Sequence, residues 1–110
     1  MASLPTGFDV NQLKVEALAV KCQCYLALYE QLVEPVRQSF PKSWDNMQEL
    51  NSLANEAMNK LRKEKELTRE KKYILVALES ALEAVSLQEE QNPELVNFVK
   101  EALFEINRIA

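Results

Sequence analysis

The sequence has one glycine and no histidine among 110 residues, and each scarcity argues against a class of structure or chemistry. Gly7 lies near the N-terminus, so residues 8–110 lack the residue that tight hairpins and phosphate-binding loops use where φ is positive. The absence of histidine removes the commonest general base and the commonest metal ligand. Neither a hairpin-rich sheet nor a histidine-dependent enzyme fits these counts.

Cysteines are also few, and their spacing excludes the sites that cysteine usually builds. Cys22 and Cys24 stand two positions apart in a segment of helical character, which directs their side chains about 200° apart around the helix axis. They therefore cannot pair with each other, and without histidine or a third cysteine no zinc site can form. Two unpaired thiols are typical of a reducing compartment.

Long apolar runs are missing as well. No run exceeds six residues, the longest being 24–29 and 73–78, and the N-terminus does not resemble a signal peptide. We therefore expect a cytoplasmic protein that does not enter a membrane. The length, with 47% hydrophobic and 27% charged residues, predicts a single helical domain over residues 1–110, with residues 1–8 as an extended N-terminal segment.

What the sequence does contain is a series of helix-start residues, each followed by good helix formers. Asp9, Asp45 and Asn92 are suited to cap the helices that follow them. The pattern predicts an all-α fold, a four-helix up-and-down bundle. The predicted helices span residues 10–39 with a kink at Pro35, 46–65, 69–88 and 93–109.

Residues 62–72 leave the boundary between the second and third helices open, because nine of these eleven residues are charged. Thr68 is suited to cap a new helix, which favours a break near residues 66–68. The block contains no glycine, proline or asparagine, however. The alternative is a three-helix arrangement with one long helix over residues 46–88.

The first helix has a larger apolar surface than one face of a small bundle needs, since an arc a little over 100° wide is enough. Either this helix is central and contacts all the others, or its second face meets another subunit, and we expect the latter, with a homodimer as the main case. The residues expected to form the contact are Leu18, Cys22, Tyr25, Tyr29 and Leu32. Trp44, which either closes the end of the bundle or docks a partner, and Phe104, on the polar side of the last helix, are further candidates.

Charge is unevenly distributed along this acidic chain, whose net charge is −4. Residues 60–72 carry seven basic and three acidic side chains, a local net charge of +4. Such a block can contact nucleic acid or another anion, but the interleaved glutamates favour a solvated helix face or hairpin tip. The basic residues are Lys60, Arg62, Lys63, Lys65, Arg69, Lys71 and Lys72.

No combination of residues predicts catalysis. Ser39 and Lys42 have serine–lysine spacing, but Pro41 disfavours the helical turn that would bring them together. We expect a non-enzymatic protein–protein interaction module, such as an adaptor, an inhibitor or a small subunit of an assembly, without a cofactor, a metal or a small-molecule substrate. The alternative is a small helical subunit that associates with nucleic acid through residues 60–72.

Overall fold

A computed structural model describes residues 10–88 and 92–109, and this part of the chain consists of four α-helices and one short 3-10 helix. The α-helices are α1 (Val10–Leu32), α2 (Met47–Arg62), α3 (Arg69–Leu87) and α4 (Pro93–Ile109). The 3-10 helix, Lys42–Asp45, lies between α1 and α2. The predicted all-α four-helix bundle is confirmed. The predicted cap at Asp9 and the extended segment 1–8 lie outside the described residues.

The central helix is α3, and not the first helix as one interpretation of the sequence had it. Helix α3 contacts each of the other three helices, whereas α1 packs mainly against α3. Three alanines on α3, Ala77, Ala81 and Ala84, are completely buried. Small side chains at these positions let neighbouring helices approach closely, so α3 can be surrounded without leaving gaps.

The connection between α2 and α3 is a true break, and the alternative of one helix over residues 46–88 is wrong. Helix α2 ends at Arg62, three residues before the predicted end, and α3 begins at Arg69. The Thr68 hydroxyl accepts a hydrogen bond from the Lys71 backbone N–H at 3.4 Å, as a helix-capping side chain does. The break lets α2 fold back against α3 and bury Leu61, which a straight rod would have left without a partner.

Helix α1 ends at Leu32, so the prediction of a kinked helix continuing to residue 39 is wrong. Pro35 lacks a backbone N–H and disfavours helical geometry in the residue before it, and Pro41 acts in the same way on Phe40. Between these prolines the chain is irregular. Pro35 therefore terminates the helix instead of bending it, and Pro41 disfavours a further helical turn at Phe40.

The cap of α2 is Asn46 and not Asp45. The Asn46 side-chain oxygen accepts hydrogen bonds from the backbone N–H groups of Gln48 at 3.0 Å and Glu49 at 3.3 Å. Asp45 ends the 3-10 helix, and its carboxylate binds the Lys100 ammonium group on α4 at 2.8 Å. The salt bridge holds the pKa of Asp45 below its usual value. The predicted start of α4 is confirmed, with Asn92 accepting a hydrogen bond from the Glu94 N–H at 3.0 Å.

Candidate interaction surface

Helix α1 has two apolar faces on nearly opposite sides, and only one of them belongs to the core. The inner face is centred on Val15, Cys22 and Tyr29, which are at most 4% exposed. These residues are spaced seven apart, so they lie along one line of the helix. Burial, with a smaller contribution from the negative charge of Glu101, raises the pKa of the Cys22 thiol to about 12, so this thiol is not a nucleophile at neutral pH.

The inner face contains most of the contact residues that the sequence analysis assigned to a partner. Cys22 and Tyr29 are buried within the chain, and Leu18 and Tyr25 are half-buried. The Tyr25 ring packs against Tyr73 of α3 with a centroid distance of 5.8 Å. Leu32 is exposed. This placement corrects the assignment: the apolar surplus of the first helix is real, but its exposed part lies on the other side.

The outer face of α1 consists of apolar residues that are all exposed to solvent. Its largest members are strongly exposed, at 65% for Val10, 51% for Leu13 and 57% for Val20. The successive spacings are three, four, three, four and three, which is the a/d pattern of a coiled-coil seam. The outer face is made of Val10, Leu13, Ala17, Val20, Cys24 and Ala27.

Charged residues flank the outer face with opposite signs on its two sides. With Val10 at position a, Lys14 and Lys21 occupy e positions along one edge. Glu16 and Glu30 occupy g positions along the other edge. All four side chains are exposed. In coiled coils, charges at e and g select the partner and its orientation. The opposite charges on the two edges therefore favour one orientation of a docked helix over the other.

Trp44 and Phe104 belong to an aromatic cluster at the connection between α1 and α2. Trp44 is 5% exposed and stacks on Phe40 with a centroid distance of 5.7 Å. Phe40 also packs edge-to-face with Phe104, at a centroid distance of 6.1 Å. The irregular connection therefore covers Phe104, which the sequence pattern had placed on the polar side of α4. The buried Trp44 holds this connection against the bundle and is not offered to a partner.

A buried carboxylate joins the same connection to α1 and α4. Glu105, 6% exposed, accepts hydrogen bonds from the Tyr29 hydroxyl at 2.7 Å and from the Gln38 amide at 3.1 Å. Its charge is compensated by the Arg108 guanidinium at 3.1 Å, which also donates to the Glu34 carbonyl at 2.7 Å. Burial, followed by the hydrogen bond to Glu105, raises the pKa of Tyr29. These pairings fix the orientation of the inner face.

A shallow cavity of about 230 Å³ lies beside this cluster, between α1, the irregular connection and α4. Glu30, Glu101 and the buried Glu105 contribute carboxylates to its lining. Burial and the nearby Glu30 raise the pKa of Glu101. Within residues 10–88 and 92–109, no cluster of three or more acidic or cysteine side chains has the arrangement needed to hold a metal ion.

The basic block lies at one end of the bundle, around the connection between α2 and α3. Two of its seven cations are in salt bridges, Arg62 with Glu79 at 3.2 Å and Lys71 with Glu64 at 2.9 Å. Tyr73, the aromatic residue that directly follows Lys72 in sequence, packs against Tyr25. The remaining five, Lys60, Lys63, Lys65, Arg69 and Lys72, are exposed. Internal pairing thus weakens the positive field that an anionic partner would meet.

Comparisons with known proteins give no relative from which the role of these surfaces could be transferred. The chain matches no family model, and neither a curated protein nor a solved structure is significantly similar to it. Across the part of the chain that the structure describes, none of the helices combines the length and apolarity needed to cross a bilayer.

The heptad spacing of the outer face is the feature that the sequence analysis missed. Ala17, Cys24 and Ala27 are small, so the seam does not stand out among the leucines and tyrosines of the same helix. Counting alternate steps of three and four from Val10 would have revealed it. The partner contact was assigned to the larger side chains of α1, and these lie mainly on the face that the bundle itself buries.

Proposed function

We propose that this protein is a non-enzymatic interaction module whose docking surface is the outer face of α1. The occupant that fits this surface is an α-helix with its own a/d stripe of apolar side chains. The observation that carries the proposal is the exposure of a regular apolar seam on a helix whose opposite face is already packed in the core. Contiguous apolar surface of this kind is typical of a binding site.

The size and flanks of the outer face favour a helical partner over a flat surface. The seam runs from residue 10 to residue 27 of a 23-residue helix, about 26 Å at 1.5 Å per residue. Small side chains at Ala17, Cys24 and Ala27 allow a second helix axis to approach closely. Lysines and glutamates on opposite edges provide charge pairs to such a helix. The two thiols fit a reducing compartment, and we infer a cytoplasmic location.

Photo-crosslinking in the cell that makes the protein tests the proposal. A photoreactive phenylalanine analogue replaces Val20, in the middle of the outer face, and irradiation is followed by mass spectrometry of the adducts. We expect a discrete adduct whose linked peptide is helical and carries an apolar heptad stripe. Adding Leu13→Lys, which introduces a charge into the seam seven residues away, should abolish the adduct because an unpaired buried charge strongly disfavours association.

Val36 provides the matched control because it is the same residue type, is 48% exposed and lies outside α1. The analogue at position 36 should give no discrete adduct, and Val36→Lys should leave the adduct from position 20 unchanged. Equal, diffuse labelling from positions 20 and 36 would contradict the proposal. So would an adduct from position 20 that survives Leu13→Lys.

The alternative, association with nucleic acid through residues 60–72, has less support. Glu64 and Glu79 neutralise two of the cations, and the aromatic ring that follows the block in sequence, Tyr73, is half-buried against Tyr25. Stacking of bases on exposed aromatic rings is the usual complement to such a charged surface. Electrophoretic mobility shifts with single-stranded and double-stranded DNA at low salt would reveal this activity, and we expect no retardation.

A further inference from the structure

We propose that the helix docked on the outer face is α1 of a second copy, lying parallel and in register about a two-fold axis that runs along the seam. This inference rests on the proposed function, because it names the partner and its orientation on the same surface. The observation behind it is the charge pattern beside the seam, with lysine on one edge and glutamate on the other.

The edge charges distinguish the two ways in which α1 can pair with itself. In a parallel pair, each g residue faces the e residue five positions later in the other helix, so Glu16 meets Lys21 of the second copy, twice by symmetry. In an antiparallel pair, e faces e and g faces g. The antiparallel register that overlaps the two seams fully brings Lys14 towards Lys21 along one edge and Glu16 towards Gln23 along the other, so it gains lysine repulsion and no attractive pair. Self-pairing is therefore electrostatically favourable in the parallel orientation and unfavourable in the other.

The rest of the bundle leaves room for the second copy. The inner face, marked by Val15, Cys22 and Tyr29, occupies the f positions of the same heptads. Position f lies opposite the a/d seam. The two bundles therefore extend away from the shared seam in opposite directions, and each α1 is covered on both sides. This arrangement accounts for the second apolar face, which a single copy leaves in water.

The dimensions of the seam predict a weak, reversible dimer. A strip about 26 Å long, from residue 10 to residue 27, and about 10 Å wide on each copy gives an interface on the order of 500 Å² in total. Stable complexes bury roughly 1,200 Å² or more. Sedimentation equilibrium should therefore show a monomer–dimer equilibrium that depends on protein concentration, and Val20→Lys should reduce the protein to the monomer while Val36→Lys does not.

Disulfide crosslinking tests the orientation with a residue that the chain already has. Equivalent a positions face each other in a parallel pair, within the range that a disulfide spans. Diamide takes up the two electrons and two protons released when two Cys24 thiols join. We expect covalent dimer from the wild-type chain and also from Ala17→Cys in a Cys24→Ser background, because both positions face their own copies. Ser52→Cys in that background, exposed on α2, measures linkage by random collision.

The pattern of linkage separates the outcomes. An antiparallel pair that placed Cys24 opposite Cys24 would put Ala17 opposite Gln31, so crosslinking at position 24 but not at position 17 would overturn the parallel arrangement. Linkage no faster than that of Ser52→Cys, in a protein that sediments as a monomer, would refute self-association. The proposed function would then still stand if the photo-adduct from position 20 contained a different protein, and would fail if there were no such adduct.

Charge reversal gives a second, independent test. In the parallel dimer, Glu16→Lys turns two attractive pairs into repulsive ones, and we expect the dissociation constant to rise about tenfold at low salt. The double variant Glu16→Lys/Lys21→Glu should restore wild-type dissociation. In an antiparallel dimer Glu16 has no lysine partner, so Glu16→Lys would break no attractive pair, and a dissociation constant that does not rise would contradict the proposal.

Discussion

At the scale of single residues, Tyr29 decides which side of α1 faces inwards. Its ring fills the core, and its hydroxyl reaches the carboxylate of Glu105 on α4, a residue 76 positions away in sequence. A tyrosine is suited to this position because one end of it is apolar and the other needs a hydrogen-bond partner.

The hydrogen bond between Tyr29 and Glu105 should contribute measurably to stability. Tyr29→Phe removes the hydroxyl and keeps the ring, and we expect it to lower the free energy of unfolding by about 2 kcal/mol, because the acceptor is a buried carboxylate. Urea denaturation at neutral pH measures the loss. Tyr25→Phe is the matched control, since its ring is only half-buried, and should cost clearly less. Equal losses would contradict this role of Glu105.

The pH dependence of the same variant follows from the raised pKa of Tyr29. The folded protein holds the phenolic proton above pH 10, where an unfolded tyrosine releases it. The stability that Tyr29 contributes is therefore complete below pH 10 and is lost as the pH rises towards the pKa of the folded state. Above pH 10, the difference between the wild type and Tyr29→Phe should shrink.

At the scale of helices, the starts of α3 and α4 were predictable because their capping residues act locally. Thr68 and Asn92 bind backbone N–H groups two or three residues ahead, so the interaction is contained within one turn of the chain. The start of α2 differed by one residue. Asp45 and Asn46 are both good capping residues. The Asp45 carboxylate binds Lys100, 55 positions along the chain, so Asn46 caps the helix instead. A local pattern contains no information about that competition.

Substitutions at these two neighbours should separate the capping residue from the ion pair. Asn46→Ala removes the acceptor of two N–H groups and should destabilise the protein by about 1 kcal/mol at any salt concentration. Asp45→Ala removes an exposed salt bridge, so its smaller effect should disappear at high salt. Thermal unfolding of both variants at low and high salt measures the difference. A salt-insensitive loss in Asp45→Ala would assign the capping role to Asp45 after all.

At the scale of the whole molecule, the fold is organised around α3. This helix contacts the other three, whereas α1 is covered on one side only. One of the two interpretations of the sequence, and not the favoured one, made the most apolar helix central. Its surplus instead lies on a second face, and the helix with buried alanines became the centre because small side chains permit neighbours on all sides.

Hydrogen exchange should reproduce this order of stability. Amides in residues 74–84 of α3 should exchange only through global unfolding, because every neighbouring helix must leave before they open. Amides of residues 15–25 in α1 should exchange sooner in dilute protein. Their protection should rise with protein concentration if a second copy covers the outer face, while that of α3 should not. Greater protection of α1 than of α3 in dilute protein would contradict the central position of α3.

The sequence by itself determined the all-α fold and the presence of excess apolar surface on the first helix, and it favoured a break near Thr68 over one continuous helix. Each of these follows from spacing and capping over a few residues. Only the tertiary structure decided which face of α1 is buried, because that choice depends on Glu105, on Tyr73 and on the small side chains of α3, all distant in sequence. Two apolar faces are equivalent by pattern, and the one that finds partners across the bundle becomes the core. The other, the outer face from Val10 to Ala27, remains exposed, and we propose that a partner helix covers it.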